Sequence, residues 1–315
     1  MGKTAFIFPG QGSQTVGMGL SLAEMHPNVK AIFQKADEKL NAKLSKIIFE
    51  GPQEELTLTV NAQPALLTTS IAVLEFFRES GVQADFVAGH SLGEYTALVA
   101  AGALTFEEGV YLVRKRGEFM ESAVPNGEGT MAAVLGLDRD RLSEVTESVT
   151  ESGYPVQLAN LNCPGQIVIS GTTRGVELAG VKAKEAGAKR VLPLVVSGPF
   201  HSSLMKPAAG QLKAELDKID MKNAKIPVIA NVTAEPIYEA GVIKEKLIEQ
   251  LYSPVLWEDS VSKMIDLGVD TFIEIGPGKV LSGLVKKVSR SANTYSVSDE
   301  ESALAVIEAL KEEKQ

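Results

Sequence analysis

Residues 89–93 read Gly-His-Ser-Leu-Gly, between an apolar run at 84–89 (ADFVAG) and a stretch with helical character over 92–101. A G-x-S-x-G between strand and helix is the pattern of a nucleophile elbow. The turn is too tight for large side chains, so glycines flank the serine. Its hydroxyl then projects from a sheet edge at the start of a helix. The amide of Leu92 points to where an oxyanion would develop. The competing reading is a plain glycine-rich turn, and the strand–helix context favours the elbow. The segment also constrains the fold, because it requires a strand, a sharp turn and a helix in immediate succession.

The rest of the chain repeats that rhythm. An apolar run at 4–8 (TAFIF) stops at Pro9-Gly10, as a buried strand feeding a glycine loop does. Helical periodicity covers 28–40 and 64–80, with Pro64 suited to a first turn. Thr105 and Glu108 form a capping box opening a helix to about Met120. This order predicts a parallel α/β sheet. At 124–130 (VPNGEGT) the composition turns glycine-rich and the rhythm changes. Strands at 130–136, 156–161, 166–170 and 190–196, with helices at 139–151 and 173–187, give the ferredoxin-like order βαββαβ. The α/β pattern then resumes, with strands at 226–232 and 270–275 and helices at 242–251, 258–267 and 279–288. A last capping box at Ser298 and Glu301 opens a final helix. The expected fold class is α/β: an α/β-hydrolase-like parallel-sheet core with an inserted ferredoxin-like small subdomain. The large subdomain comprises 1–126 and 197–315, the small one 127–196.

A serine hydroxyl needs a base to attack at neutral pH, and the chain has three histidines. His90 precedes Ser91 and leaves the backbone in another direction, which suits a hydrogen-bonder behind the elbow. His26 sits in a polar stretch. His201 lies where the insert returns to the main domain, and by elimination it is the base. The acids between Ser91 and His201 fall mostly on polar helix faces, so a Ser-His dyad is expected, its imidazole oriented by a neutral acceptor such as a backbone carbonyl. Glu94 and Glu274 are better read as local hydrogen-bonders than as a third catalytic member.

The loop Pro9-Gly10-Gln11-Gly12-Ser13-Gln14 lets backbone approach a ligand closely. Gln11 can supply an amide to an oxyanion hole. The loop lacks the Lys-Ser/Thr ending of a phosphate-binding P-loop. Arg114, Lys115 and Arg116 form either a solvated helix face or, at Arg116 beside Gly117, a clamp for a carboxylate. Cys163, the single cysteine, reads as a buried structural residue.

Composition narrows the class. A net charge of −9 argues against a general nucleic-acid binder. No stretch approaches the roughly 20 apolar residues needed to cross a bilayer. The apolar run at the N-terminus is too short for a secretion signal. A cytoplasmic protein with no membrane association is expected. No Cys/His cluster has metal-ligand spacing, so no metal is expected.

Taken together, the motifs resemble the malonyl-CoA:acyl carrier protein transacylase family of bacterial fatty-acid synthesis, with wording similar to Bacillus versions. The resemblance rests on FPGQGSQ at 8–14, GHSLGEYTAL at 89–98, RKRGEFM at 114–120, ANLNCPGQIVISG at 159–171, PFHS at 199–202, EQLYSPVLW at 249–257 and EIGPG at 274–278. It implies Ser91 as nucleophile, His201 as general base, Arg116 as partner of the malonyl carboxylate, and the amides of Gln11 and Leu92 as oxyanion hole. It further implies that Gln250 orients His201 through its main-chain carbonyl, that Gln63 lies near the active site, and that Asn160 and Asn162 lie near the substrate channel. Phe200, directly before the histidine, resembles malonyl-selective polyketide acyltransferases. The implied reaction is ping-pong transfer of malonyl from coenzyme A to the phosphopantetheine thiol of an acidic acyl carrier protein, by a monomer without cofactor. Lys182, Lys184, Lys189 and Arg190, or Lys286, Lys287 and Arg290, are the candidate docking patches. The alternatives are a polyketide-synthase acyltransferase, a serine thioesterase and a carrier-binding scaffold.

Overall fold

The computed structural model describes residues 2–125 and 127–312, so Met1, the junction residue Asn126 and the last three residues of the expected large subdomain lie outside the described residues. The strands in chain order are β1 (Lys3–Phe8), β2 (Phe86–Gly89), β3 (Gly129–Leu135), β4 (Val156–Cys163), β5 (Gln166–Thr172), β6 (Arg190–Pro193), β7 (Val228–Ile229), β8 (Pro236–Ile237), β9 (Val269–Ile275) and β10 (Asn293–Val297).

Two sheets result. The larger has the order β10-β9-β1-β2-β7-β8 and is parallel except for the β7–β8 pair. β1 lies inside it, between β9 and β2, and the apolar run of its residues 5–8 follows from burial on both faces. Phe6 and Phe8 enter one hydrophobic cluster with helix residues such as Leu66, Tyr95 and Val113. Ala5 and Ile7 enter another with Trp257, Val261 and Leu281. The period-2 alternation of a strand thus divides the helices into two layers.

The smaller sheet is antiparallel, in the order β4-β5-β3-β6. Helices Arg139–Glu151 and Thr173–Glu185 cover one face, with Val134, Leu142, Ile169 and Val176 between them. Met131, Ala159 and Val168 point the other way and join the core of the large sheet. β4 is also tied to the main body through Leu161 N–H to Val255 O (2.9 Å) and Val255 N–H to Ala159 O (2.8 Å). The two sheets therefore share packing.

Several expectations are corrected. The helix assigned to 64–80 spans Thr59–Phe77, so Pro64 is interior and not in the first turn. Its missing N–H removes one ladder bond, and the almost complete burial of the helix outweighs that loss. β6 stops at Pro193 instead of 196. The final helix is capped by Asp299, whose carboxylate accepts from Ser302 N–H (2.8 Å), and not by a Ser298–Glu301 box. β10 was not expected, because NTYSV is mostly half-buried and carries little apolar signal.

Candidate active site

Parallel strands leave their loops at one edge, where sites form in open α/β sheets. Phe8 of β1 pairs with Gly89 of β2, so the loop after Pro9 and the Gly89–Gly93 turn start level. A Cβ on Gly10 would sit 2.5 Å from His90 O, which is why the two loops can touch only with glycine there. At the turn itself, a Cβ on Gly89 would lie 1.9 Å from Gly93 O, and one on Gly93 2.2 Å from Phe8 O. Ser91 adopts φ 51° and ψ −104°, a strained positive-φ conformation costing a non-glycine residue about 1–3 kcal/mol. Asn231, just beyond β7, holds it there. Its Oδ1 accepts from Ser91 N–H (2.7 Å) and its Nδ2 donates to Gly89 O (2.7 Å).

His201 is buried, also at positive φ (58°), on the segment returning from β6. Its Nε2 lies 2.7 Å from Ser91 Oγ and its Nδ1 2.8 Å from the backbone O of Gln250. A carbonyl only accepts, so Nδ1 carries the proton and the Nε2 lone pair faces the serine hydroxyl. Burial, reinforced by the positive field of Arg116, pushes the imidazole down to about 3, against the bond to Gln250 O. The ring is therefore neutral at physiological pH and able to accept the serine proton.

Arg116 comes from helix Phe106–Ser122, which lies against the helix of Pro64. Gly117 serves that approach, since a Cβ on it would meet Thr59 O and Val60 Cα at 3.0 Å. The glycine thus serves helix packing and not the space around the guanidinium. Arg116 is 1% exposed. It donates from Nη1 to Gln63 Oε1 (2.8 Å) and from Nη2 to Gln250 Oε1 (2.8 Å) and Ser91 Oγ (3.1 Å). Its face lies over the Tyr95 ring, 5.5 Å from the centroid. A guanidinium has five N–H donors. Nε has no partner among the described residues, so donors remain for a ligand.

Ser91, His201 and Arg116 line a cavity of about 160 Å³, to which Gln11, Leu92, Met131, Asn160, Val196 and Phe200 also contribute. The amides of Gln11 and Leu92 donate to no protein acceptor among the described residues. The Gln11 side chain is tied to Thr59 Oγ1 (3.2 Å), and that hydroxyl to Ser197 Oγ (3.0 Å) on the return segment. Ser91, His201, Arg116, Gln11, Leu92, Gln63, Gln250 and Asn160 are thus brought together. Asn162 is not on the cavity wall. Its Oδ1 lies 2.8 Å from His90 Nε2, behind the elbow. His26 is remote, its ring tilted against Phe76 with the centroids 4.6 Å apart. Glu274 accepts from Leu281 and Ser282 N–H at the start of helix Val280–Val288, and Cys163 is buried.

The chain is similar to proteins of known kind. The profile of the acyl transferase domain matches residues 5–314. The chain belongs to the acyl transferase family. It is 67% identical over 313 residues to the malonyl CoA-acyl carrier protein transacylase of Bacillus subtilis strain 168, covering 99% of each. A solved acyl carrier protein S-malonyltransferase from Vibrio cholerae matches with TM-score 0.94 at 45% identity, over 96% of this chain and 99% of that one. A malonyl-transacylase solved in complex with its type II PKS acyl-carrier protein matches with TM-score 0.95 at 42% identity, over 98% and 99%. Within this acyl transferase, Asn231 and the side chain of Gln250 contact Ser91 and Arg116 without having been expected there from sequence. The signal for Asn231 was a polar residue closing the apolar run IPVIA at a strand's C-terminal end. Among the described residues no group of His, Cys, Asp or Glu is arranged to hold a metal ion, and no helix is long and apolar enough to cross a membrane.

Proposed function

We propose that this chain transfers malonyl from malonyl-CoA to the phosphopantetheine thiol of an acyl carrier protein, supplying extender units for fatty-acid synthesis in the cytoplasm, as a single chain without cofactor. The observation that carries the reading is the convergence of Ser91, neutral His201 and the guanidinium of Arg116 in one cavity. Ser91 Oγ gives its proton to His201 Nε2 and attacks the thioester carbonyl. The oxyanion faces the amides of Gln11 and Leu92. Collapse breaks the C–S bond, and the imidazolium returns its proton to the departing thiolate, leaving a malonyl-serine ester. The carrier's thiol then loses its proton to His201 and attacks that ester, and Ser91 leaves and takes the proton back. The reaction thus has two half-reactions through a covalent intermediate.

A base held near 3 works here because two negative charges arrive with the reaction: the malonyl carboxylate on Arg116 and the oxyanion. Both favour the imidazolium. The carboxylate also supplies the selectivity, since a neutral acyl group gives the buried guanidinium nothing to pair with. In this reading residues 1–126 and 197–315 form the catalytic subdomain, and 127–196 a small ferredoxin-like one that walls the cavity with Met131 and Asn160. An acidic carrier would meet a basic surface. Lys287 Nζ donates to Gln166 Oε1 (3.0 Å), and Gly136, beside Lys189, donates to Gly165 O (2.8 Å), which supports Lys287 and Lys189 lying near the same end of the small sheet.

The test is intact mass after brief mixing with malonyl-CoA, for the wild type and Ser91→Ala, followed by carrier protein. The expected result is a malonyl adduct on the wild type alone, discharged onto the carrier's thiol. An adduct lost to water regardless of carrier would make the chain a thioesterase, and no adduct a carrier-binding scaffold.

A further inference from the structure

The acyl-transfer scheme leaves the buried carboxylate of Glu94 unused. Glu94 lies in the first turn of helix Leu92–Ala100, is 1% exposed, and sits behind the nucleophile. Its Oε2 accepts from two donors, Gln250 Nε2 (2.7 Å) and Asn231 N–H (3.2 Å). Both partners hold the reacting groups. Gln250 accepts at Oε1 from Arg116 Nη2 (2.8 Å) and donates to Ser91 O (3.0 Å). Asn231 holds Ser91 N–H.

The Gln250 amide therefore spans an anion and a cation, NH2 towards the carboxylate and oxygen towards the guanidinium. Each charge polarises the amide in the direction the other needs. Turned over, the amide would set its NH2 against Arg116 and its oxygen against Glu94, two unfavourable contacts in a site sealed from water. Among the described residues Arg116 forms no ion pair with a carboxylate, and the field of Glu94 reaches it.

We propose that Glu94 is a positioning residue of the acyl transfer: its carboxylate, acting through the Gln250 amide, holds the Arg116 guanidinium in the orientation a carboxylated acyl group requires. The inference rests on Arg116 being the partner of that carboxylate. The groups facing Glu94 are Arg116 from helix Phe106–Ser122, Gln250 from helix Ala240–Gln250, Asn231 beyond β7, and Ser91 and Tyr95 from its own turn and helix. His201, pushed down to about 3 by burial, and His90, also lowered by burial, lie across the elbow. Glu94 is pushed up to about 7 by burial, against its bonds to Gln250 and Asn231 and the field of Arg116. Carboxylate-dependent selectivity should therefore decline as pH falls through neutrality.

The experiment is single-turnover acylation of Ser91, read by intact mass from pH 6 to 8.5, with malonyl-CoA and acetyl-CoA on the wild type and Glu94→Gln. The wild type should show a malonyl limb near neutral pH that acetyl lacks. Glu94→Gln should lose the limb and acylate with malonyl about tenfold or more slowly at pH 8. A Gln variant with the wild-type rate, selectivity and pH profile overturns the proposal. If that variant does not fold, Glu94→Asp decides: a carboxylate on a shorter arm should keep the limb and lower the malonyl rate, and wild-type behaviour in both respects overturns it. Failure of the underlying reading looks different, because wild-type protein would then form no malonyl-serine, or Arg116→Ala would keep full preference for malonyl.

Discussion

Replacing Arg116 with alanine separates recognition of the acyl group from the chemistry on it. The substitution removes donors to Gln63 Oε1, Gln250 Oε1 and Ser91 Oγ. The last loss affects every acyl donor alike, since it loosens the nucleophile. A charge-assisted pair with the substrate carboxylate affects malonyl alone, and is worth about 1.5–3 kcal/mol. That converts to a roughly ten- to 150-fold fall in the malonyl-to-acetyl ratio of acylation rates. A second effect has the opposite sign for acetyl. The field of Arg116 is one of the causes that lower His201, so its removal raises the imidazole towards the ordinary histidine range and strengthens the base. Acetyl transfer should therefore fall less than the lost Ser91 contact alone implies. The assay is rapid-quench acylation with each thioester, scored by intact mass and normalised to the fraction of folded protein. Equal loss for malonyl and acetyl would refute the reasoning, because Arg116 would then serve only to hold Ser91.

His201→Ala should slow acylation by about 10²–10⁴-fold with both thioesters, with thermal stability as the control for folding. Because His201 is held near 3, its protonation should leave no acidic limb in acetyl transfer above about pH 5; a limb near 6.5 would show that it titrates like an exposed histidine. Gly93→Ala places a Cβ 2.2 Å from Phe8 O and should lower unfolding stability in urea by about 1–3 kcal/mol. Asn231→Ala leaves Ser91 N–H and Gly89 O unpaired in the interior. About 1–3 kcal/mol per group is expected, and acylation should fall with malonyl and acetyl together.

The legible parts of the sequence were those set by neighbouring residues. The elbow follows from two glycines that must stand within two residues of the serine. The helix start at Thr105 follows from Glu108 three positions on, and the structure has both capping-box bonds there. The small sheet follows from alternating apolar residues and short turns. What stayed hidden has the opposite character. β10 is a half-buried strand with mixed composition, held by pairing to β9, which a local pattern cannot reveal. Pro64 was placed at a helix start by a local rule. Burial against Phe106–Ser122, more than 40 residues away, carries the helix through it.

The polar network beneath the nucleophile shows the same division more sharply. Glu94 meets Asn231 across 137 positions and Gln250 across 156, and Gln250 meets Arg116 across 134. Each is an ordinary polar residue in its own segment, and on local grounds a glutamate in a helix's first turn is explained by the helix dipole alone. Only the fold removes water from all of them at once. Burial turns a solvated acid into one whose remaining bonds must be met by particular donors, and it turns Arg116 from one of three neighbouring cations into the one held inside. Arg114 instead donates to Asn61 Oδ1 on the neighbouring helix (3.0 Å) and Lys115 to Glu118 on its own helix (2.8 Å). The difference among the three lies in which face of one helix meets the cavity, a distinction that composition does not contain and that the packing of Gly117 against Thr59 and Val60 decides.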